Sequence, residues 1–249
     1  MPPSTSNRFT ERERPWHSYG MAEVADFFPA IGAGDITRVR AILDERPELL
    51  AEAGPDGASA ALTALYHGHG PLADELAARA GELTAFEAAA FDDADRLAEL
   101  IALDHTVVES WSADGWQPLH LAAFFGRAEA ARILLDADAP VAEPSRNEMS
   151  VQPLHAAAAG RHPDVVWLLI ASDAPVSARQ RAGWTPLHSA VNNADTASIE
   201  ALLSAGADPA QANDEGKTPI DLATDDAVRM LLAGSHLASR RDRSEPEGS

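Results

Sequence analysis

The chain has 249 residues, about fifty of them alanine, and 39 acidic side chains against 19 lysines and arginines give it a formal charge of −20. It has no cysteine, which excludes a disulfide scaffold, a thiol nucleophile and a cysteine-ligated metal or iron–sulfur site. The acidic balance argues against nucleic acid and anionic membranes as ligands, and no stretch approaches the roughly 18 apolar residues of a transmembrane helix.

The abundance of alanine predicts an all-α protein with closely packed helices, because alanine favours helix and lets helices approach each other. Aromatic residues make up only 6% of the chain, so strand formers are scarce. The N-terminus lacks the apolar core of a secretory signal, and we expect a cytoplasmic protein. Many alanines and arginines beside a single lysine, Lys217, are typical of a GC-rich bacterial coding sequence.

The first part of the chain contains a tail and three weakly patterned segments. Residues 1–20 are rich in proline, serine, arginine and glutamate and are predicted to be disordered. Helix-pair units are predicted at about 21–50, 54–82 and 83–110. The step between corresponding positions of the second and third units, Ala61 and Phe86, is only 25 residues, which predicts that the hairpin between them is missing.

Four much clearer copies of one motif follow at a nearly fixed spacing. Each has proline, then leucine or isoleucine, then histidine or aspartate, and alanines after that. The leucine position moves from Leu119 to Leu154, Leu187 and Ile220, in steps of 35, 33 and 33 residues. These copies predict units at about 113–142, 147–178, 182–211 and 213–234, followed by a second disordered tail at 235–249.

The Thr-Pro-Leu-His core and its period resemble the ankyrin repeat. The resemblance implies one α-solenoid over residues 21–234, with about seven helix-pair units and short hairpin fingers. Threonine would cap the first helix of a unit, proline would occupy its first turn, and the leucine position would anchor the pair. It also implies a monomeric, non-enzymatic protein that binds a partner protein in a concave groove.

Several histidines and acids could be mistaken for a catalytic or metal site. His120, His155 and His188 lie in successive units, about 10 Å apart by helix packing, whereas zinc holds its ligands at about 2 Å. We therefore expect each imidazole to bond to neighbouring backbone. For His67 and His69 the resemblance implies a structural role, because a Gly-His pair commonly ends the first helix of an ankyrin unit. The acids at 92–95 are expected at a helix start. No catalytic, cofactor or metal site is predicted.

One set of residues is predicted to bind a partner, because it falls at positions that face the groove in the family. Counting five and six residues past the leucine position, or three before it at the fingertip, gives Tyr66, Phe91, Phe124, Phe125, Asn192, Asn193, Trp116 and Trp184. Exposed aromatic stripes mark binding sites. The alternative interpretation is that these aromatic side chains pack on their neighbours and only complete the stack.

The charge distribution adds a hypothesis about the partner. Residues 21–110 contain 18 acids and 5 bases, a net charge of −13. An apolar groove with acidic surroundings suits a basic segment or a basic amphipathic helix. Two alternative functions stay open: an exported effector that acts on host proteins, and a regulatory subunit of an enzyme encoded nearby.

Overall fold

The computed structural model describes the backbone of residues 26–242 and the side chains of residues 26–234. Within that range the chain is helical and no residue is in a strand, which confirms the all-α fold class. The N-terminal tail predicted at 1–20 lies outside the described residues. At the other end the last helix continues to Asp242, past the predicted start of the C-terminal tail at 235. The added stretch contains good helix formers such as Leu237, Ala238 and Arg240, which explains the continuation.

The chain divides into two compact units, with the boundary between Gly81 and Glu82. In the first unit, residues 26–32 form α1 and are followed by α2, α3 and α4, which are Ile36–Glu45, Ala60–Tyr66 and Gly70–Ala80. A 3-10 helix, Pro47–Ala51, follows α2. The largest fully buried side chains of this unit are Phe27, Ile31, Leu49, Leu72 and Leu76.

The second unit contains the remaining helices, again in pairs. Its helices are α5 (Ala85–Phe91), α6 (Ala94–Leu103), α7 (Pro118–Phe124), α8 (Ala128–Asp136), α9 (Pro153–Gly160), α10 (Pro163–Ala171), α11 (Pro186–Asn192), α12 (Thr196–Ser204), α13 (Pro219–Leu222) and α14 (Asp226–Asp242). Each first helix packs against its own second helix and against the first helix of the next pair, as α7 does with α8 and α9. One continuous core therefore runs from Ala85 to Leu232.

Only four residues, 81–84, separate α4 from α5, which is too short for a hairpin finger. This confirms the prediction drawn from the 25-residue step between the two copies. The second helix of a pair is followed by a longer connection elsewhere in the second unit, as between Asp136 and Pro153.

Local sequence fixes where the first helices begin. Proline is the first residue of α7, α9, α11 and α13, where its missing N–H would have no partner in any case. At α11 the Thr185 hydroxyl accepts a hydrogen bond from the backbone N–H of His188, as predicted. Thr84 and Glu87 form a complete capping box at α5, although this unit lacks the Pro-Leu-His motif.

Three of the four predicted anchors are in the core, and one is not. Leu119, Leu154 and Leu187 are fully buried, whereas Ile220 is 39% exposed. The prediction for Ile220 was wrong because α13 has only four residues and no further pair follows it in the described part of the chain. The neighbouring Asp221 takes the histidine position and accepts hydrogen bonds from the N–H and hydroxyl of Thr218, inside its own cap.

Short turns precede the first helices from α7 onward and are linked to each other through the backbone. The N–H of Ser112 donates to the carbonyl of Trp116, and Gln180 does the same to Trp184. One backbone hydrogen bond joins each turn to the next. The N–H groups of Arg146, Arg181 and Asp214 donate to the carbonyl oxygens of Gly115, Met149 and Ala182, respectively. These turns are the fingers expected from the repeat, reduced to turns without strands.

Candidate functional site

The three motif histidines are buried and bonded to the following pair. Nε2 of His120 lies 2.9 Å from the carbonyl oxygen of Val151, and Nε2 of His188 lies 3.1 Å from that of Lys217. Nε2 of His155 is 3.1 Å from the carbonyl oxygen of Ala178. A carbonyl can only accept, so each Nε2 carries the proton. The predicted structural role is therefore confirmed.

These imidazoles are neutral at physiological pH. Burial lowers the pKa of His120 and of His155 to about 4, because the charged form would lose its water without gaining a counter-ion. Burial also lowers the pKa of His188. Nδ1 of His188 accepts from the backbone N–H of Thr185, 3.1 Å away, whereas Nδ1 of His155 has no hydrogen-bond partner.

His67 and His69 lie in the first unit with their rings stacked 6.3 Å apart. Nε2 of His69 is 3.0 Å from the carbonyl oxygen of Gly32, so this ring gives a hydrogen-bond partner to the last carbonyl of α1. In the side chains described, residues 26–234, no group of histidines and acids is arranged to hold a metal ion. Between residues 26 and 242, no helix has both the length and the apolar composition that crossing a bilayer requires.

Five predicted or neighbouring residues of the second unit lie at the C-terminal ends of its first helices. We call this set the helix-end row: Phe91, Phe124, Phe125, Arg161 and Asn192. Phe91, Phe124 and Asn192 are the last residues of α5, α7 and α11, and Phe125 and Arg161 immediately follow α7 and α9. Because α5, α7, α9 and α11 pack side by side, the row crosses consecutive helix pairs.

Exposure differs along the row. Phe124 is 42% exposed, and Arg161 and Asn192 are also exposed. Phe91 and Phe125 are half-buried. The rings of Phe124 and Phe125 pack edge to face with their centres 5.1 Å apart, so the exposed ring is supported from below by its neighbour.

The backbone under the row is held by side chains that reach back from the next pair. Nε of Arg127 donates to the carbonyl oxygen of Ala90 at 2.8 Å, and Nδ2 of Asn193 donates to that of Ala159 at 2.9 Å. The predicted binding residue Asn193 therefore has a structural task. In the other direction, the carboxylate of Asp92, which follows α5, accepts a hydrogen bond from the N–H of Ala130 on α8, at 3.0 Å.

The two predicted fingertip tryptophans are half-buried and pack against the motif histidines. The ring centre of Trp116 lies 5.7 Å from that of His120, and Trp184 lies 5.8 Å from His188. Both rings thus cover the side of a buried imidazole. The remaining predicted residue, Tyr66, ends α3 in the first compact unit and is half-buried there.

Sequence reasoning missed Arg161, which has the left-handed backbone conformation, with φ of 63°. Gly68 and Gly126 hold the corresponding place in two other pairs, also at positive φ. Asp92 and Ala194 hold it in two more, so Arg161 is distinguished by its positive charge, and that charge beside the predicted binding residues was a detectable signal. Trp167, in the middle of the second helix α10, is 50% exposed and was also missed, because counting from the leucine position considers only first helices.

Comparisons with known proteins point in one direction. The family model described as "Ankyrin repeats (3 copies)" matches residues 85–180 and 154–241, which together are more than half of the chain. A stretch of 48 residues is 46% identical to ankyrin repeat and SOCS box protein 11 of Danio rerio. That match covers 19% of this chain and 16% of the zebrafish protein, so the chain spans about a sixth of its relative.

Proposed function

Because this chain belongs to the ankyrin-repeat family, whose members generally mediate protein–protein interaction, we propose that it binds a partner protein across the helix-end row. The observation that carries the proposal is the exposed ring of Phe124. A phenylalanine with 42% of its surface in water, resting on a second phenylalanine, has the form of a binding anchor.

The neighbouring residues support this placement. Phe91 offers a second apolar side chain on one side of Phe124, and Asn192 offers a hydrogen-bonding amide at the far end of the row. The backbone below is fixed by Arg127 and Asn193, so the row is presented on a rigid support. A rigid surface loses little conformational entropy on binding, which favours affinity.

The fingertip tryptophans contribute less directly in this proposal. Trp116 and Trp184 lie against buried imidazoles, so their loss would disturb the fold as well as a partner. We therefore assign them to the support of the surface. Tyr66 belongs to the first compact unit, and a ligand contact there is a separate hypothesis.

The experiment is affinity purification from the native cell with mass spectrometry, using the double variant Phe91→Ala with Phe124→Ser. The matched control is Trp167→Ser, which removes an aromatic side chain of similar exposure from a second helix. We expect the control to retain the proteins that the wild type retains, and the double variant to lose them while its circular dichroism stays helical. Retention of the same proteins by the folded double variant would refute the proposal.

The identity of the retained protein also separates the two alternative functions. A host protein would favour an exported effector, and an enzyme of the same cell at fixed stoichiometry would favour a regulatory subunit.

A further inference from the structure

Arg161 differs from every other arginine whose side chain the structure describes. The others each have an acidic, carbonyl or aromatic partner, such as Glu75 for Arg40, Glu148 for Arg181 and the ring of Trp111 for Arg146. Within residues 26–234, the guanidinium of Arg161 has no hydrogen bond, ion pair or ring contact. A cation left unpaired in a chain with 39 acids is therefore a feature that the fold itself does not use.

The backbone conformation of Arg161 is shared by the corresponding residues of the other pairs in the second unit. Asp92, Gly126 and Ala194 also have positive φ, so this place accepts residues with side chains. Gly126 is the constrained member, because a Cβ there would overlap the ring of His162. At position 161 the fold accepts a long charged side chain and gives its guanidinium no partner within residues 26–234.

Arg161 lies directly beside the exposed anchor. The preceding Gly160 packs so closely on α7 that a Cβ would overlap the carbonyl oxygen of Phe124. The ring of His162, the residue after Arg161, is close enough to the same place that a Cβ at Gly160 would overlap it too. The side chains of Arg161 and Phe124 therefore begin from neighbouring stretches of backbone, and both are exposed, so one extended segment is expected to reach both.

Several acids of the neighbouring pairs are already engaged, whereas Asp164, in the first turn of α10, is exposed and makes no ion pair among the described side chains. Asp195 accepts a hydrogen bond from the Ser198 hydroxyl, and Glu129 and Asp136 both pair with Arg132 on α8. At physiological salt, charges more than about 8 Å away are largely screened. A ligand bound at the row therefore interacts more strongly with nearby charges such as Arg161 than with the distant acids that make up the net charge of −20.

We propose that Arg161 binds a carboxylate of the partner segment, about one to three residues from an apolar side chain that lies on Phe124. This inference rests on the proposed function and assigns the partner an acidic segment, in contrast to the basic segment suggested by the charge of residues 21–110. A guanidinium pairs well with a carboxylate through two parallel N–H donors.

The test uses arrays of synthetic peptides with a tryptophan or leucine anchor flanked by aspartate and glutamate, by serine, or by lysine. The full-length protein is applied at physiological salt, and affinities of retained peptides are measured by fluorescence anisotropy. We expect acid-flanked peptides to bind about tenfold more tightly than lysine-flanked ones. Arg161→Glu should reverse this preference, and Arg161→Gly should abolish it while the melting temperature stays equal or rises.

The matched control is Arg229→Glu, a charge reversal at an arginine of α14 that pairs with Asp226. It should leave the preference unchanged. A preference of the wild type for lysine-flanked peptides, or an unchanged preference in Arg161→Glu, would overturn the inference, as would the absence of any retained peptide. Phe124→Ser separates the two proposals: full retention of acid-flanked peptides by this variant would contradict the helix-end row as the binding surface.

Discussion

The buried histidines predict that this protein loses stability in mild acid. Folding lowers the pKa of His120 and of His155 from an unfolded value of 6.5 to about 4. Between these values the unfolded chain binds protons that the folded chain does not, so the free energy of unfolding falls as pH falls. The loss begins near pH 6.5 and is complete near pH 4, and full stability is present above pH 6.5.

The magnitude follows from the size of the shift. One pKa unit corresponds to about 1.4 kcal/mol, so each of the two imidazoles contributes roughly 3 kcal/mol across this range. His188 adds to the effect in the same direction, since burial lowers its pKa as well. Together these losses are comparable with the total stability of an ordinary domain, 5–15 kcal/mol. We therefore expect the helical signal to be lost in acid well above the pH at which typical domains unfold.

The assay is urea unfolding followed by circular dichroism at several pH values between 5 and 7.5. That window avoids the protonation of carboxylates such as Glu75 and Asp221, whose pKa is lowered by hydrogen bonds and whose stabilisation is lost at lower pH. The variant His155→Gln keeps an N–H donor for the carbonyl of Ala178 but cannot titrate. Its slope of stability against pH should be shallower than that of the wild type by one proton. An unchanged slope in this variant, or a flat profile in the wild type, would refute the reasoning.

Two further predictions concern the same helix pair. Leu154→Ala removes a fully buried anchor and should lower the free energy of unfolding by roughly 2–5 kcal/mol. Hydrogen exchange should show amide protection lost mainly in residues 113–211, and unchanged protection there would contradict the prediction. Gln152→Thr should be more stable than Gln152→Val by about 1 kcal/mol in urea unfolding, because a threonine hydroxyl at this place would bond the unpartnered Nδ1 of His155, as Thr185 bonds His188. Both variants lose the hydrogen bond from Gln152 to the carbonyl of Ala142, so the comparison isolates the hydroxyl, and equal stability of the two would refute that account.

The second half of the fold could be predicted from sequence because each residue type in its motif has a definite structural role. Proline at the first helical position, threonine before it and a buried leucine after it recur at a fixed period, and each performs the predicted task at α11. Ile220 satisfies the same pattern and is nevertheless exposed. Burial of an anchor needs a neighbour on its outer side, and a motif read in isolation cannot report whether that neighbour exists.

The candidate site was only partly predictable, because position in the repeat does not determine what a side chain bonds to. Phe124 and Asn193 were both assigned to the partner, yet the first is 42% exposed while the second donates to a carbonyl of the preceding helix. Arg161 escaped notice because the count of five and six residues past Leu154 ends at Gly160, one residue before it.

The hydrogen bonds of the motif histidines give the array a direction. Each imidazole donates to a carbonyl that belongs to the following pair, so this buried donor is satisfied only by the successor of its unit. Truncation from the C-terminal side would remove the acceptors of these imidazoles, whereas a cut on the N-terminal side would remove the acceptors of the half-buried side chains Arg127 and Asn193. Asp221, whose oxygen is satisfied within its own turn, removes this dependence and acts as a terminator. Lengthening the array by design would require a histidine at that position together with a finger behind it.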